Sequence, residues 1–217
     1  MKNFEDVYVV IAPSGTGKTT LNRRLIKENS DKIEMSISYT TRPKRDGEVD
    51  GEHYHFVSIE KFKELVDKGQ MLEWAEVHKN FYGTPITEID RIREADKKTL
   101  LEIDLQGWFK AQELLPGAQS IFIMPPSMET MWERLEKRGT DNLDVRLIRL
   151  NSAKAELLGA ETCDHFIIND EIEKAYTELE ACIISSIPPK LKKEKAISIV
   201  EGFLTKINDP DWLKNLR

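Results

Sequence analysis

No run of roughly 18 or more apolar residues occurs anywhere in the chain, so no segment is long enough to cross a bilayer as a helix. Cysteine is nearly absent. Cys163 and Cys182 are the only two, and their separation matches neither a metal site nor a redox motif. Two buried, reduced thiols in a cytoplasmic protein are the expectation. An excess of basic charge is missing as well: the net charge is −6, which argues against a general nucleic-acid binder. The opening residues, Met1-Lys2-Asn3-Phe4-Glu5-Asp6, hold two acids and no apolar signal region, so secretion is not expected. Internal repeats and low-complexity tracts are lacking too.

What is present suits a soluble globular protein. The 217 residues are 40% hydrophobic and 32% charged, enough for one cored domain with inserts. Val7-Tyr8-Val9-Val10-Ile11 is a short, β-branched apolar run of the kind buried on both faces in a parallel sheet. Similar runs recur at Thr99–Ile103, Ser120–Met124 and Phe166–Ile168, with amphipathic helical patterns between and after them. That alternation predicts an α/β fold with a mostly parallel sheet.

Two stretches interrupt it. Residues 36–86 carry turn signals, strand patterns at His53–Val57 and Met71–Val77, and a helix capped by Ser58 with Ile59, Phe62 and Val66 on one face. Residues 126–160 are charged and helical in pattern, the signature of a mobile flap. After Pro188-Pro189, residues Ile197, Val200, Leu204 and Ile207 align on one face of an amphipathic helix. That stripe must be covered, by the body of the protein or by a partner chain in a homo-oligomer.

Ala12-Pro13-Ser14-Gly15-Thr16-Gly17-Lys18-Thr19 nearly matches the G-x-x-x-x-G-K-[ST] phosphate loop, and Thr20 continues it into a helix. Its glycines allow backbone N–H groups to curl around phosphate, and a helix N-terminus adds positive potential. Lys18 reaches the terminal phosphates and the Thr19 hydroxyl reaches Mg²⁺. Alanine in place of the first glycine requires a negative φ at Ala12. A second anion site is suggested at Arg42-Pro43-Lys44-Arg45, where two guanidinium forks flank a proline turn. Phosphoryl transfer needs such a second anion held in line. His53 and His55 share a strand face, but without a third ligand nearby they do not make a metal site.

Taken together, these stretches resemble the guanylate kinase family. The similarity is carried by the phosphate loop, by Ser38–Phe56, and by Leu72-Glu73-Trp74-Ala75-Glu76 with Tyr82-Gly83-Thr84. It continues through Leu101-Glu102-Ile103-Asp104-Leu105-Gln106-Gly107, Arg134–Arg149 and Ile168-Asn169-Asp170. The resemblance implies a P-loop nucleoside monophosphate kinase-like fold with a five-stranded parallel core sheet flanked by helices. The core would comprise residues 1–35, 87–125 and 161–187, with a GMP-binding α+β insert at 36–86, a helical lid at 126–160 and a separate tail at 188–217. It implies transfer of phosphate from ATP, held with Mg²⁺, to GMP.

By position, the resemblance assigns the GMP phosphate to Arg42, Arg45, Tyr54 and Tyr82, with Glu48 in the same site. Guanine falls to Ser38, Glu73, Thr84 and Asp104. Lys18, Arg42, Arg138 and Arg149 surround the transferred group, Arg134 assists from the lid, Asn169 lies near the adenine, and Glu102 helps hold Mg²⁺ partly through water. The sequence departs from the family at Ala12, at Glu102, where aspartate is commoner, and at Phe81, where tyrosine is frequent. Two other readings of the same fold are a non-catalytic protein-binding domain, which would have a degraded loop, and a kinase acting on a phosphorylated sugar, which would lack Glu73 and Asp104.

Overall fold

A computed structural model describes residues 3–77, 79–137 and 143–215. In chain order the first elements are β1 (Val7–Ile11), α1 (Lys18–Glu28), β2 (Ile33–Met35), β3 (Tyr39–Thr40), β4 (His55–Phe56) and α2 (Ile59–Asp67). Next come β5 (Met71–Val77), β6 (Asn80–Pro85), α3 (Ile86–Glu94), β7 (Lys98–Leu101), α4 (Leu105–Ala111) and β8 (Gln119–Met124). The chain continues with α5 (Met128–Glu136), α6 (Leu143–Leu158), a 3₁₀ turn (Ala160–Thr162) and β9 (His165–Ile168). It closes with α7 (Ile172–Ser185), α8 (Lys193–Ile207) and α9 (Pro210–Asn215).

Five strands form one sheet in the order β2-β7-β1-β8-β9, and a second sheet has the order β4-β3-β6-β5. All five residues of β1 are buried, as a strand covered on both faces requires. Two compact units divide the chain: Met1–Val9 with Ser30–Ala118, and Val10–Asn29 with Gln119–Arg217.

In the first unit, β2 and β1 both pair parallel with β7. The smaller sheet is mixed: β3 runs parallel to β4 but antiparallel to β6, which also pairs antiparallel with β5. The strand expected at His53–Val57 shrinks to His55–Phe56. The Ser58 hydroxyl accepts from the Lys61 N–H at 3.2 Å and caps α2, as its sequence predicts. On that helix Phe62 is buried and stacks on Phe81, whereas Ile59 faces solvent. The Phe62 stack gives Phe81 an apolar neighbour that asks for no hydroxyl.

In the second unit, β8 and β9 pair parallel from Ile121↔His165 to Met124↔Ile168. Within the charged stretch 126–160 the described residues form α5 and α6, and Ser127 caps α5 through the Thr130 N–H at 3.0 Å. Both cysteines are buried and free, and burial pushes the Cys163 thiol up to about 12. The C-terminal stripe is covered by this unit itself, because α8 packs on α6, α5, β9 and the 3₁₀ turn. Its buried line is Ala196, Val200, Phe203 and Ile207, not the expected Ile197–Val200–Leu204–Ile207. Phe203, the largest apolar side chain on the helix, takes the inward position and leaves Ile197 and Leu204 half-buried.

Helix α3 ends in a left-handed turn. Asp96 has φ 57°, its N–H donates to the Arg93 carbonyl, and the Lys97 N–H donates to the Ile92 carbonyl. This is a Schellman ending that normally uses glycine. Asp96→Gly relieves the left-handed strain, partly offset by greater freedom in the unfolded chain, so a net gain of about 0.5 kcal/mol is expected from urea unfolding.

Candidate active site

The phosphate loop leaves the buried end of β1 and turns into α1 through two left-handed glycines, Gly15 at φ 92° and Gly17 at φ 95°. Ala12 is not among the positive-φ residues, so the departure from glycine there is accommodated without strain. The Thr16 hydroxyl and N–H both donate to the Pro13 carbonyl, at 2.8 and 3.2 Å, and close the turn. Gly17 caps α1 without a side-chain hydrogen bond, and the first turn of the helix carries no acid. A helix start with those two properties favours an anion. Lys18 and Thr19 open the helix, with Thr19 and Thr20 exposed.

Three side chains brace this loop from within the same unit. Asn169, at the end of β9, donates from Nδ2 to the Thr16 carbonyl at 2.6 Å. Arg134 on α5 donates to the same carbonyl at 3.4 Å and to the Asn169 carbonyl at 3.0 Å. Arg149 on α6 places Nη1 3.3 Å from the Ser14 hydroxyl. Loop, Arg134, Arg149 and Asn169 thus lie together, while Arg138 lies outside the described residues. A Cβ on Gly17 would fall 2.6 Å from Asn169 Nδ2, so only glycine fits under that amide.

The other predicted residues gather in the first unit. Register pairs Glu73 on β5 with Thr84 on β6, and the Thr84 hydroxyl donates to Glu73 Oε1 at 2.7 Å. Ser38 Oγ lies 3.5 Å from Thr84 Oγ1. Asp104 caps α4, with Oδ1 accepting the Gly107 N–H at 2.8 Å. A Cβ on Gly107 would lie 3.4 Å from both Glu73 Cδ and Asp104 Oδ1, and 3.2 Å from Ile103 Cβ, so the two carboxyl groups flank one point. Burial raises the Glu73 pKa above its ordinary value, and the Asp104 charge adds to the rise against the Thr84 hydrogen bond.

Arg42 and Glu48 form a two-pronged pair, Nη2 to Oε1 at 2.8 Å and Nη1 to Oε2 at 3.0 Å. The Arg45 N–H also donates to Glu48, at 2.8 Å. Together these hold the Glu48 carboxyl at about 2, with the Arg42 contact the larger cause. The Arg42 guanidinium lies 5.5 Å from the Tyr54 ring centroid, and Tyr54 meets Tyr82 edge-on at 6.0 Å. The Arg45 side chain is exposed. Glu102 is exposed just beyond β7 and acts electrostatically on Tyr54, whose phenol is raised first by burial, then by Tyr82 and, against Arg42, by Glu102.

Sequence reasoning missed two contributors. Glu88 is buried on the first turn of α3, accepts the Ile37 N–H at 3.1 Å next to Ser38, and is held by Arg91. Its place on the apolar face with Ile92, one helical turn on, was the available signal. Gly107 is the other, visible only once Glu73 and Asp104 are known to converge. His53 Nδ1 accepts the Val49 N–H, and His55 lies 3.8 Å from Glu88. Among the described residues no cluster of metal-ligating side chains forms.

A glycine-bent loop between a buried parallel strand and a helix, in this sheet order, defines a P-loop nucleoside monophosphate kinase fold. Residues 5–186 match the profile of the guanylate kinase family, and the chain belongs to that family. A guanylate kinase from Nitratidesulfovibrio vulgaris is 44% identical over 94% of this chain and 96% of its own length. One from Schizosaccharomyces pombe is 45% identical over 82% of this chain and 89% of its own. The crystal structure of guanylate kinase from Anaplasma phagocytophilum superposes with a TM-score of 0.64 at 33% identity, covering 86% of this chain and 88% of that one.

The raised Glu73 pKa has a consequence for stability. A carboxyl that binds its proton more tightly folded than unfolded stabilises the fold at low pH, and that contribution is lost as pH rises through its folded value. At neutral pH the charged Glu73 is therefore a burden. Glu73→Gln is expected to raise the melting temperature at pH 7, with the advantage shrinking as pH falls; an advantage independent of pH would contradict the assignment.

Proposed function

We propose that the chain transfers the γ-phosphate of ATP to GMP, giving ADP and GDP. The observation that carries this reading is the convergence of Glu73 and Asp104 beside the Thr84 and Ser38 hydroxyls, in a chain whose phosphate loop keeps Gly17, Lys18 and Thr19. Guanine presents N1–H and N2–H₂ donors and an O6 acceptor. The carboxylates accept from the donors and the hydroxyls donate to O6. Adenine has an acceptor at N1, which a carboxylate repels. The intact Gly17-Lys18-Thr19 sequence supports catalysis over a role as a protein-binding module, and the paired carboxylates support guanine over a phosphorylated sugar.

The 5′-phosphate of GMP is largely dianionic at pH 7, since a phosphomonoester's second pKa is about 6, so its oxygen attacks without a general base. The residues must cancel charge and align the two phosphates. Arg42, Arg45, Tyr54 and Tyr82 take the GMP phosphate, with Glu48 fixing the Arg42 fork in the bidentate geometry that phosphate uses. Lys18, Arg138 and Arg149 serve the transferred group, Arg134 and Asn169 the ATP side. The Thr19 hydroxyl and the Glu102 carboxylate are hard oxygen donors that fit Mg²⁺. When bound, the ion neutralises charge on the phosphate oxygens. Residues 36–86 act as the nucleotide-binding insert and 126–160 as the lid. No helix among the described residues is long and apolar enough to cross a membrane, and the free cysteines suit a cytoplasmic enzyme.

Two measurements test the assignment. Lys18→Met should abolish turnover while GMP binding survives, because the lysine serves ATP's phosphates and the transition state. Turnover within threefold of the parent refutes the phosphate-loop role. Acceptor preference should run GMP, then IMP, then AMP. IMP leaves one buried acceptor unpaired, a loss of roughly 10- to 200-fold in kcat/KM. AMP loses both donors, and sites built to hydrogen-bond a group reject analogues lacking it by about 10⁴–10⁵. Comparable kcat/KM for GMP and AMP refutes guanine reading by Glu73 and Asp104.

A further inference from the structure

The family match ends at residue 186, before α8 begins, and no residue assigned to ATP or GMP lies beyond it. Yet the C-terminal helices are tied to the helices that carry Arg134 and Arg149. The entry to α8 is fixed to the sheet edge: Leu191 bridges antiparallel to Phe166 of β9, and Lys193 Nζ donates to the Cys163 carbonyl at 2.8 Å. The far end is fixed to α5 and α6. Lys154 Nζ on α6 donates to Asn208 Oδ1 at 2.6 Å, and Lys206 pairs with Glu129 in the first turn of α5 at 3.0 Å. Between these anchors Ala196, Val200, Phe203 and Ile207 are buried. Ile207 and Leu213 also face Leu147 and Leu150 of α6 across a cavity of about 340 Å³.

Leu150 follows Arg149 directly, and Lys154 lies little more than one helical turn further on. A shift of α6 on α8 therefore moves the Arg149 guanidinium relative to Ser14. We propose that α8 and α9 form a brace in which Lys154, Ile207 and Asn208 are positioning residues, holding α6 so that Arg149 stays at the phosphate loop. The brace acts on phosphoryl transfer through Arg149, and so rests on the reading of Arg149 as a transfer residue. A cover for an apolar face would affect stability alone; a brace also affects the chemical step, because misplacement by about 1 Å can cost as much as 10²-fold in rate.

The test is a double-mutant cycle on the full chain. Asn208→Ala and Ile207→Ala are made alone and in an Arg149→Ala background, with kcat, KM for each nucleotide and melting temperature measured for all. The brace predicts that each lowers kcat by about 3- to 30-fold with KM for GMP within about twofold. In the Arg149→Ala background the same changes should alter kcat by less than about twofold, since the group they position is gone. An unchanged kcat in the single variants, or the same fold loss in both backgrounds, overturns the proposal. If Ile207→Ala does not fold, Lys154→Met paired with Asn208→Ala decides by the same criteria, since it removes only the polar tie. Full kcat in Arg149→Ala itself overturns the brace together with the role of Arg149, whereas inactivity of Lys18→Met alongside it leaves the kinase reading standing.

Discussion

The phosphate loop depends on what happens to one carbonyl oxygen, that of Thr16. It accepts the Asn169 amide and the Arg134 guanidinium, which fix the orientation of the peptide between Thr16 and Gly17. A loop that must offer its N–H groups to phosphate cannot also present carbonyl oxygens there, because their partial charges repel the ligand. Fixing that carbonyl requires left-handed φ at Gly15 and Gly17, and it requires Asn169 to sit close enough that no Cβ fits at Gly17. Asn169 is in turn placed by strand pairing, its N–H donating to the Met124 carbonyl at 2.8 Å at the end of β8. Sheet register and the base of α5 thereby set the shape of a loop they do not belong to.

The nucleoside side is organised by the opposite charge. Glu73 and Asp104 crowd around Gly107 although like charges at close range cost free energy, and Glu73 is largely withdrawn from water as well. The smaller sheet imposes this arrangement: antiparallel register puts Thr84 opposite Glu73, and the α4 cap holds Asp104. Hydrogen bonds with Thr84, from its hydroxyl and its backbone, and the Lys110 charge relieve Glu73 only in part, and burial keeps its pKa raised. On the guanine reading proposed above, a base with two adjacent N–H donors would satisfy both carboxylates, so burial that weakens the fold would strengthen discrimination. The net charge of −6 says nothing about either half-site, since each sets its own local field.

How much of this the sequence discloses follows from how local each feature is. The strand, loop and first helix are legible because every element of the phosphate loop lies within a dozen consecutive residues. The basic turn at Arg42–Arg45 is legible as a candidate for the same reason. Glu73 and Asp104 lie on different elements and meet only through register and a helix cap, so spacing alone does not pair them; the family resemblance does. Glu88 was readable as an acid on an apolar face, and its role required knowing that Ile37 ends beside it. The C-terminal stripe is readable as a stripe, but the line that turns inward includes the bulky Phe203 in place of Leu204.

The Arg42–Glu48 pair completes the logic of a site that waits for an anion. An unpaired guanidinium beside Tyr54, Tyr82 and Phe56 would be free to sample many rotamers, and binding would have to order it. Glu48 holds the planar guanidinium in one orientation through its bidentate pair and stays ionised far below neutral pH. On the proposed assignment, the GMP phosphate, with nearly two negative charges, would take the remaining donors of Arg42 and the Tyr54–Tyr82 side. Glu48 also retains the Arg45 backbone N–H, which keeps the turn closed whether or not phosphate is present. The cost of ordering the arginine is thus met during folding, and on the proposed assignment the ligand's charge would be left to drive binding and alignment.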